Sequence, residues 1–107
     1  MKNIAAVAAL AALAQESRLA VFRLLVRSAP DGLTPGVICE QLELPAPTLS
    51  FHLKALAQAG LVSAVQEGRY LRYRAEITTI NALIDFLTED CCGGDPARCS
   101  KKGRNHE

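Results

Sequence analysis

Three of the four cysteines of this chain fall within nine residues, in the run Asp90-Cys-Cys-Gly-Gly-Asp-Pro-Ala-Arg-Cys99. Thiolates are the ligands that soft metals and metalloids prefer, so Cys91, Cys92 and Cys99 point to a thiophilic ion. Gly93, Gly94 and Pro96 let a short loop carry Cys99 back towards the first two. Three sulfurs without an obvious fourth partner suit a three-coordinate ion better than tetrahedral zinc, which usually takes four ligands. Adjacent residues of a regular helix point about 100° apart. Cys91 and Cys92 therefore face one ion only if the helix before them ends there, and Gly93-Gly94 supply that break through their freedom at positive φ. Binding requires deprotonated thiols and should depend on pH. Zinc with His106 as a fourth ligand, and a redox pair of Cys99 with Cys91 or Cys92, stay open on the residues alone.

A second group of residues has the chemistry of phosphate and base recognition. Net charge is only +1, too near neutral to argue for nucleic acid, but the charges are unevenly placed. Residues 45–74 carry Lys54, Arg69, Arg72 and Arg74 against the single acid Glu67, whereas residues 76–95 carry Glu76, Asp85, Glu89, Asp90 and Asp95 and no base. That polarity fits one face that meets phosphate and another that meets something else.

The elements that must position these groups are mainly helical. An apolar helix is expected from Ile4 to Ala14, with Val7, Leu10 and Leu13 as a stripe. A second follows from Ser17 to Arg27, with Leu19, Phe22, Leu25 and Val26 recurring at helical steps and Arg18, Arg23 and Arg27 outside. Ala29-Pro30-Asp31-Gly32 reads as a turn, and Thr34-Pro35 as a cap with proline in the first helical position. The short helix after it turns Val37, Ile38 and Leu42 inward and holds Cys39 as a small core residue. A longer helix runs from about Pro47 to Ala59, closed by Gly60. Two strands, Leu61–Gln66 and Arg69–Ala75, flank Glu67-Gly68. A last amphipathic helix, Thr78–Asp90, turns Ile80, Leu83, Ile84 and Leu87 inward.

This order, two helices around a proline-containing turn and then a basic hairpin, is that of a winged helix-turn-helix, in which the second helix of the pair enters the major groove. On Pro47–Ala59 the inward stripe is Leu49, Leu53, Leu56 and Ala57. Pro47, Thr48, Ser50, Phe51, Lys54 and Gln58 are then left to face DNA, with hydroxyl, amide and ammonium groups for base edges and phosphates. Phe51 suits contact with a thymine methyl. His52, on the inward edge, is expected to be a hydrogen-bonded structural residue. In the hairpin Tyr70, Arg72 and Arg74 share a face by the two-residue period, with Arg69 at the tip, as phosphate contacts.

The string Leu49-Ser50-Phe51-His52-Leu53-Lys54-Ala55-Leu56, followed by Ala59-Gly60-Leu61-Val62, resembles the recognition-helix signature of the ArsR family of metal- and metalloid-responsive winged-helix repressors. Gly68-Arg69-Tyr70 with Tyr73-Arg74 is similar to the family's wing, and Leu13 to Leu25 with Arg18 to its second helix. The resemblance extends from about Leu13 to Cys99. It implies a homodimer that binds operator DNA and releases it when an inducer binds. Some members of the family take trivalent arsenic or antimony through three cysteines, which here would be Cys91, Cys92 and Cys99. The chain departs from the best-known arsenic sensors, which place a Cys-Val-Cys pattern beside the recognition helix. The corresponding segment, Gly36–Glu43, has only Cys39, so the inducer site must sit at the end of the last helix. The family's zinc set is also missing, since that helix offers Asp85 and Glu89 but no histidine.

Domain and assembly expectations follow. At 107 residues and 50% hydrophobic, the chain has one small core. Residues 1–90 form the DNA-binding and dimerisation domain, and residues 91–107 an inducer-binding loop with a polar tail. The first and last helices carry more apolar surface than one copy covers, which predicts a two-fold homodimer joined through them. Its partner is then double-stranded operator DNA with an inverted repeat. The apolar N-terminus superficially resembles a signal peptide, but it is alanine-dominated and runs unbroken into the next helix, so a cytoplasmic protein with reduced thiols is expected. Nothing reaches the roughly 20 apolar residues needed to span a bilayer. No nucleophile–base pair or phosphate loop is visible, so neither an enzyme nor an organic cofactor is expected.

Overall fold

The computed structural model describes residues 1–89. Five helices and one hairpin follow in the order α1 (Asn3–Leu13), α2 (Glu16–Arg27), α3 (Pro35–Leu42), α4 (Ala46–Gln58), β1 (Val62–Glu67), β2 (Tyr70–Ala75) and α5 (Ile77–Leu87). The expected winged helix-turn-helix is present, with boundaries shifted by a residue or more and α5 closing at Leu87. Cys91, Cys92, Cys99 and His106 lie outside the described residues.

Local chemistry sets the breaks. The Gln15 side chain accepts from the Arg18 backbone N–H at 2.9 Å and so caps α2. Pro35 stands in the first turn of α3, where its missing N–H costs nothing. The helix ends at Glu43 in the left-handed region (φ 54°). Gly60, at φ 77°, stops α4 and turns the chain into β1.

The core lies where α2, α3 and α4 meet: Val21, Leu25, Ile38, Leu49, Leu56 and Leu61 are almost wholly buried. Of the residues expected inward on α2, Phe22 and Leu25 are buried but Leu19 and Val26 are exposed, and Val21 and Leu24 take their places. Arg18 is not on the outer face either. It is half-buried because its Nε donates to the Ala12 carbonyl at 2.7 Å, tying α2 to the end of α1. On α4, Ala57 is exposed and His52 occupies the inward position instead.

The terminal helices differ most from expectation. On α1 the core side is made of Ala6, Ala9 and Ala12, while Val7 and Leu10 of the expected stripe point away from it and only Leu13 packs on the core. On α5 Leu83 is buried and Ile80 and Phe86 partly so, but Ile84 and Leu87 are exposed. Small side chains let α1 lie close to α2 and α4, and the larger ones are left facing outward. No single helix among the described residues is long and apolar enough to cross a membrane.

Candidate nucleic-acid interface

Helix α4 presents a two-sided surface. Leu49, His52, Leu53 and Leu56 hold it to the body. Pro47, Thr48, Ser50, Phe51, Lys54 and Gln58 are all exposed, as the helical phase predicts. Phe51 is 67% exposed, an unusual position for a large aromatic ring. Its ring stands edge-on to that of His52, with centroids 5.9 Å apart. The cap position, Pro45, offers no side-chain hydrogen bond, so the first-turn N–H groups and the positive end of the helix dipole are free to meet a phosphate. The row of Thr48, Ser50, Lys54 and Gln58 thus combines short hydrogen-bonding groups near the helix start with one cation further along, a set chemically suited to base edges and phosphates.

His52 is buried, at 6% exposure, as expected for a structural histidine, but the expected hydrogen bond is not formed at Nδ1, which is buried without a partner. Burial, and then the nearby Arg18 charge, lower its pKa below the ordinary 6.5. Both effects favour the neutral form of the ring.

The hairpin pairs Val62 with Ala75 through to Glu67 with Tyr70, and Gly68 (φ 60°) makes the turn at its tip. Its two faces do different work. Leu71 and Tyr73 turn towards α3 and α4, where with Cys39 and Ser50 they line a cleft of about 310 Å³. Tyr70, Arg72 and Arg74 share the other face, as the period of two predicts, together with Val65 and Glu67. Tyr70 is 68% exposed, and Arg69 and Arg74 are also exposed.

Arg72 is placed differently from its neighbours. Its Nε donates to Glu67 Oε1 at 2.9 Å, and its Nη1 to the Gly32 carbonyl at 3.2 Å. Leu33 and Tyr73 exchange backbone hydrogen bonds of 2.9 and 2.8 Å beside it. Gly32 itself, at φ 80°, lies so close that an added Cβ would run into the Tyr73 carbonyl oxygen. Arg72 thus anchors the wing onto the α2–α3 turn, a role that its expected phosphate contact did not include. Sequence reasoning missed Gly32 and Glu67 as parts of this joint, because their contacts come from residues about forty positions away or from cross-strand pairing. The one available signal was the opposite sign of Glu67 in a basic hairpin.

Cys39 packs partly buried against the core, as expected, with a free thiol. Among the described residues, no group of three or more histidine, cysteine or acidic side chains is arranged to hold a metal ion.

A family model described as a helix-turn-helix domain matches residues 13–64. HlyU from Vibrio cholerae is 32% identical, with 86% of this chain and 99% of that one covered and a TM-score of 0.67. An ArsR-like transcriptional regulator from Rhodococcus is 27% identical over 78% of this chain and 76% of its own, with a TM-score of 0.71. The transcriptional repressor SdpR of Bacillus subtilis is 29% identical over 63 residues, 59% of this chain and 70% of the repressor.

Proposed function

The chain belongs to the ArsR family of winged-helix transcriptional regulators, and from that premise we propose that it is a homodimeric repressor. It holds an inverted-repeat operator and releases it when trivalent arsenic or antimony binds Cys91, Cys92 and Cys99. The observation that supports the DNA-binding half is the exposed row on α4, Phe51 among Thr48, Ser50, Lys54 and Gln58, flanked by a wing with Arg69 and Arg74 in solvent. The row enters the major groove and reads bases, while the wing holds phosphate.

What supports the inducer half is the donor set. Three thiolates match a three-coordinate thiophilic ion, and they follow closely on α5, the helix with exposed Ile84 and Leu87. An inducer acts only by binding the DNA-free conformation better than the DNA-bound one. Gathering Cys99 onto Cys91 and Cys92 beside the dimer helix changes how two subunits sit, so that their recognition helices no longer match two successive grooves. A reducing cytoplasm keeps the thiols available.

The test is operator release titrated with arsenite under reducing conditions. Cys91→Ser, Cys92→Ser and Cys99→Ser should each bind operator normally and lose most or all of the response, whereas Cys39→Ser should respond as wild type. Normal release by the first three with failure of Cys39→Ser refutes the site. Release by peroxide or zinc but not by arsenite assigns the cluster to another signal.

A further inference from the structure

A groove of about 360 Å³ runs between α2 and α5, lined by Phe22, Val26, Ile80 and Ile84 with Arg23 and Arg27. Its floor is apolar: Phe22 is buried, Ile80 partly so, and Val26 and Ile84 leave 38% and 40% of their surface open. The two arginines stand one helical turn apart on α2, both exposed. Like charges at that spacing repel and destabilise a helix. Among the described residues neither guanidinium makes an ion pair or a side-chain hydrogen bond; the one ion pair there is Arg72 with Glu67. The groove's volume lies at the small end of the roughly 300–1,000 Å³ typical of small-molecule sites.

Apolar walls beside two exposed guanidinium groups complement one ligand chemistry: an anion at one end and a hydrocarbon body at the other. We propose that this groove binds an amphipathic monocarboxylate, a short to medium acyl chain whose carboxylate lies between Arg23 and Arg27 and whose tail lies on Phe22, Val26, Ile80 and Ile84. The guanidinium fork accepts a carboxylate through paired N–H groups, and the tail covers apolar surface that α2 and α5 leave open. None of the residues lining the groove belongs to α4 or the wing. The site does not depend on the arsenic reading.

The test uses the full-length protein and octanoate, with octanol and octylamine as neutral and cationic controls of similar chain length. Titration followed by the methyl resonances of Val26, Ile80 and Ile84 reports occupancy at the groove itself. Octanoate should bind at least roughly tenfold more tightly than either control, the scale of one charge-assisted contact. The double variant Arg23→Gln with Arg27→Gln, both surface positions, should lose that preference and bind octanoate and octanol alike. Equal binding of the three compounds by the wild type, shifts confined to α1 methyls, or octanoate affinity unchanged in the double variant would each overturn the proposal. So would loss of dimer mass on adding octanoate, which would mean that the chain enters a subunit contact rather than this groove.

Discussion

His52 is the residue whose environment says most about conditions. It is seated under the recognition surface with its Nδ1 buried and unpartnered, and burial first and the Arg18 charge second depress its pKa. The folded state therefore binds fewer protons than the unfolded chain once pH falls below the ordinary histidine value of 6.5. Stability rises with pH wherever the unfolded state holds more protons, so this group leaves stability untouched above that value. It removes stability as pH falls through and below it, until the folded-state pKa is reached. Urea unfolding of wild type between about pH 7.5 and about pH 5.5 should show this loss, and His52→Gln should flatten it; equal slopes for the two proteins would refute the assignment. On the opposite face of the same helix, Ser50→Ala and Lys54→Ala should weaken operator binding by about 1–3 kcal/mol where a base contact is lost, with a smaller effect on random DNA. Arg69→Ala should weaken both DNAs alike and reduce the salt slope by about one unit. Mobility-shift titrations on both DNAs across a salt series separate the two classes of residue.

At the scale of elements, the wing is a lever fixed at one point. Backbone exchange between Leu33 and Tyr73, the Arg72 hydrogen bond to the Gly32 carbonyl, and the close approach of Gly32 to Tyr73 all act at the α2–α3 turn. Within the wing, the Arg72–Glu67 pair ties the two strands to each other. The Arg72–Glu67 pair is solvent-accessible and contributes at most about 1 kcal/mol, so its role is orientation of the hairpin more than stability of the fold. Arg72→Gln should accelerate amide exchange at Leu33 and Tyr73 and lower DNA affinity, with little change in unfolding midpoint. Gly32→Ala should do the same and also destabilise the protein, because a side chain there meets both a positive φ and a carbonyl oxygen. Hydrogen exchange read at those two amides checks both variants, and unchanged exchange in Arg72→Gln would return that arginine to the phosphate-contact group.

At the scale of the whole molecule, the terminal helices leave large apolar side chains exposed among the described residues. Ile4 (84%), Val7 (58%) and Leu10 (43%) on α1, and Leu87 (57%) with Ile77 on α5, are exposed. Alanines occupy the core side of α1, so its larger side chains are available to a partner. A two-fold contact buries the same patch on both subunits, and the expected inverted-repeat operator follows, with half-sites about one helical turn or a multiple apart. Light scattering at micromolar concentration should give the dimer mass, and Val7→Glu with Leu10→Glu should give a folded monomer that no longer shifts the two-half-site operator. A monomeric wild type would remove the basis for the interface.

Local spacing by itself determined the order of elements, the exposed row on α4 and the alternation of the wing. Prolines, glycines and side-chain periods act within a few residues, and Pro35, Gly60 and Gly68 do their work without reference to the rest of the chain, although Thr34 stands at the cap position of α3 without making the expected side-chain hydrogen bond. The same local logic singled out Cys91, Cys92 and Cys99, whose proposed role rests on spacing and ligand chemistry alone. Tertiary structure decided which apolar residues face the core. Every side of α1 is apolar, so only packing against α2 and α4 selected the alanines and turned Val7 and Leu10 outward. It likewise drew Arg18 onto Ala12, left the His52 nitrogen unpartnered, and made Arg72 an anchor. In each case the deciding partner is a contact that helical or strand period does not encode: a neighbouring helix or turn brought close by packing.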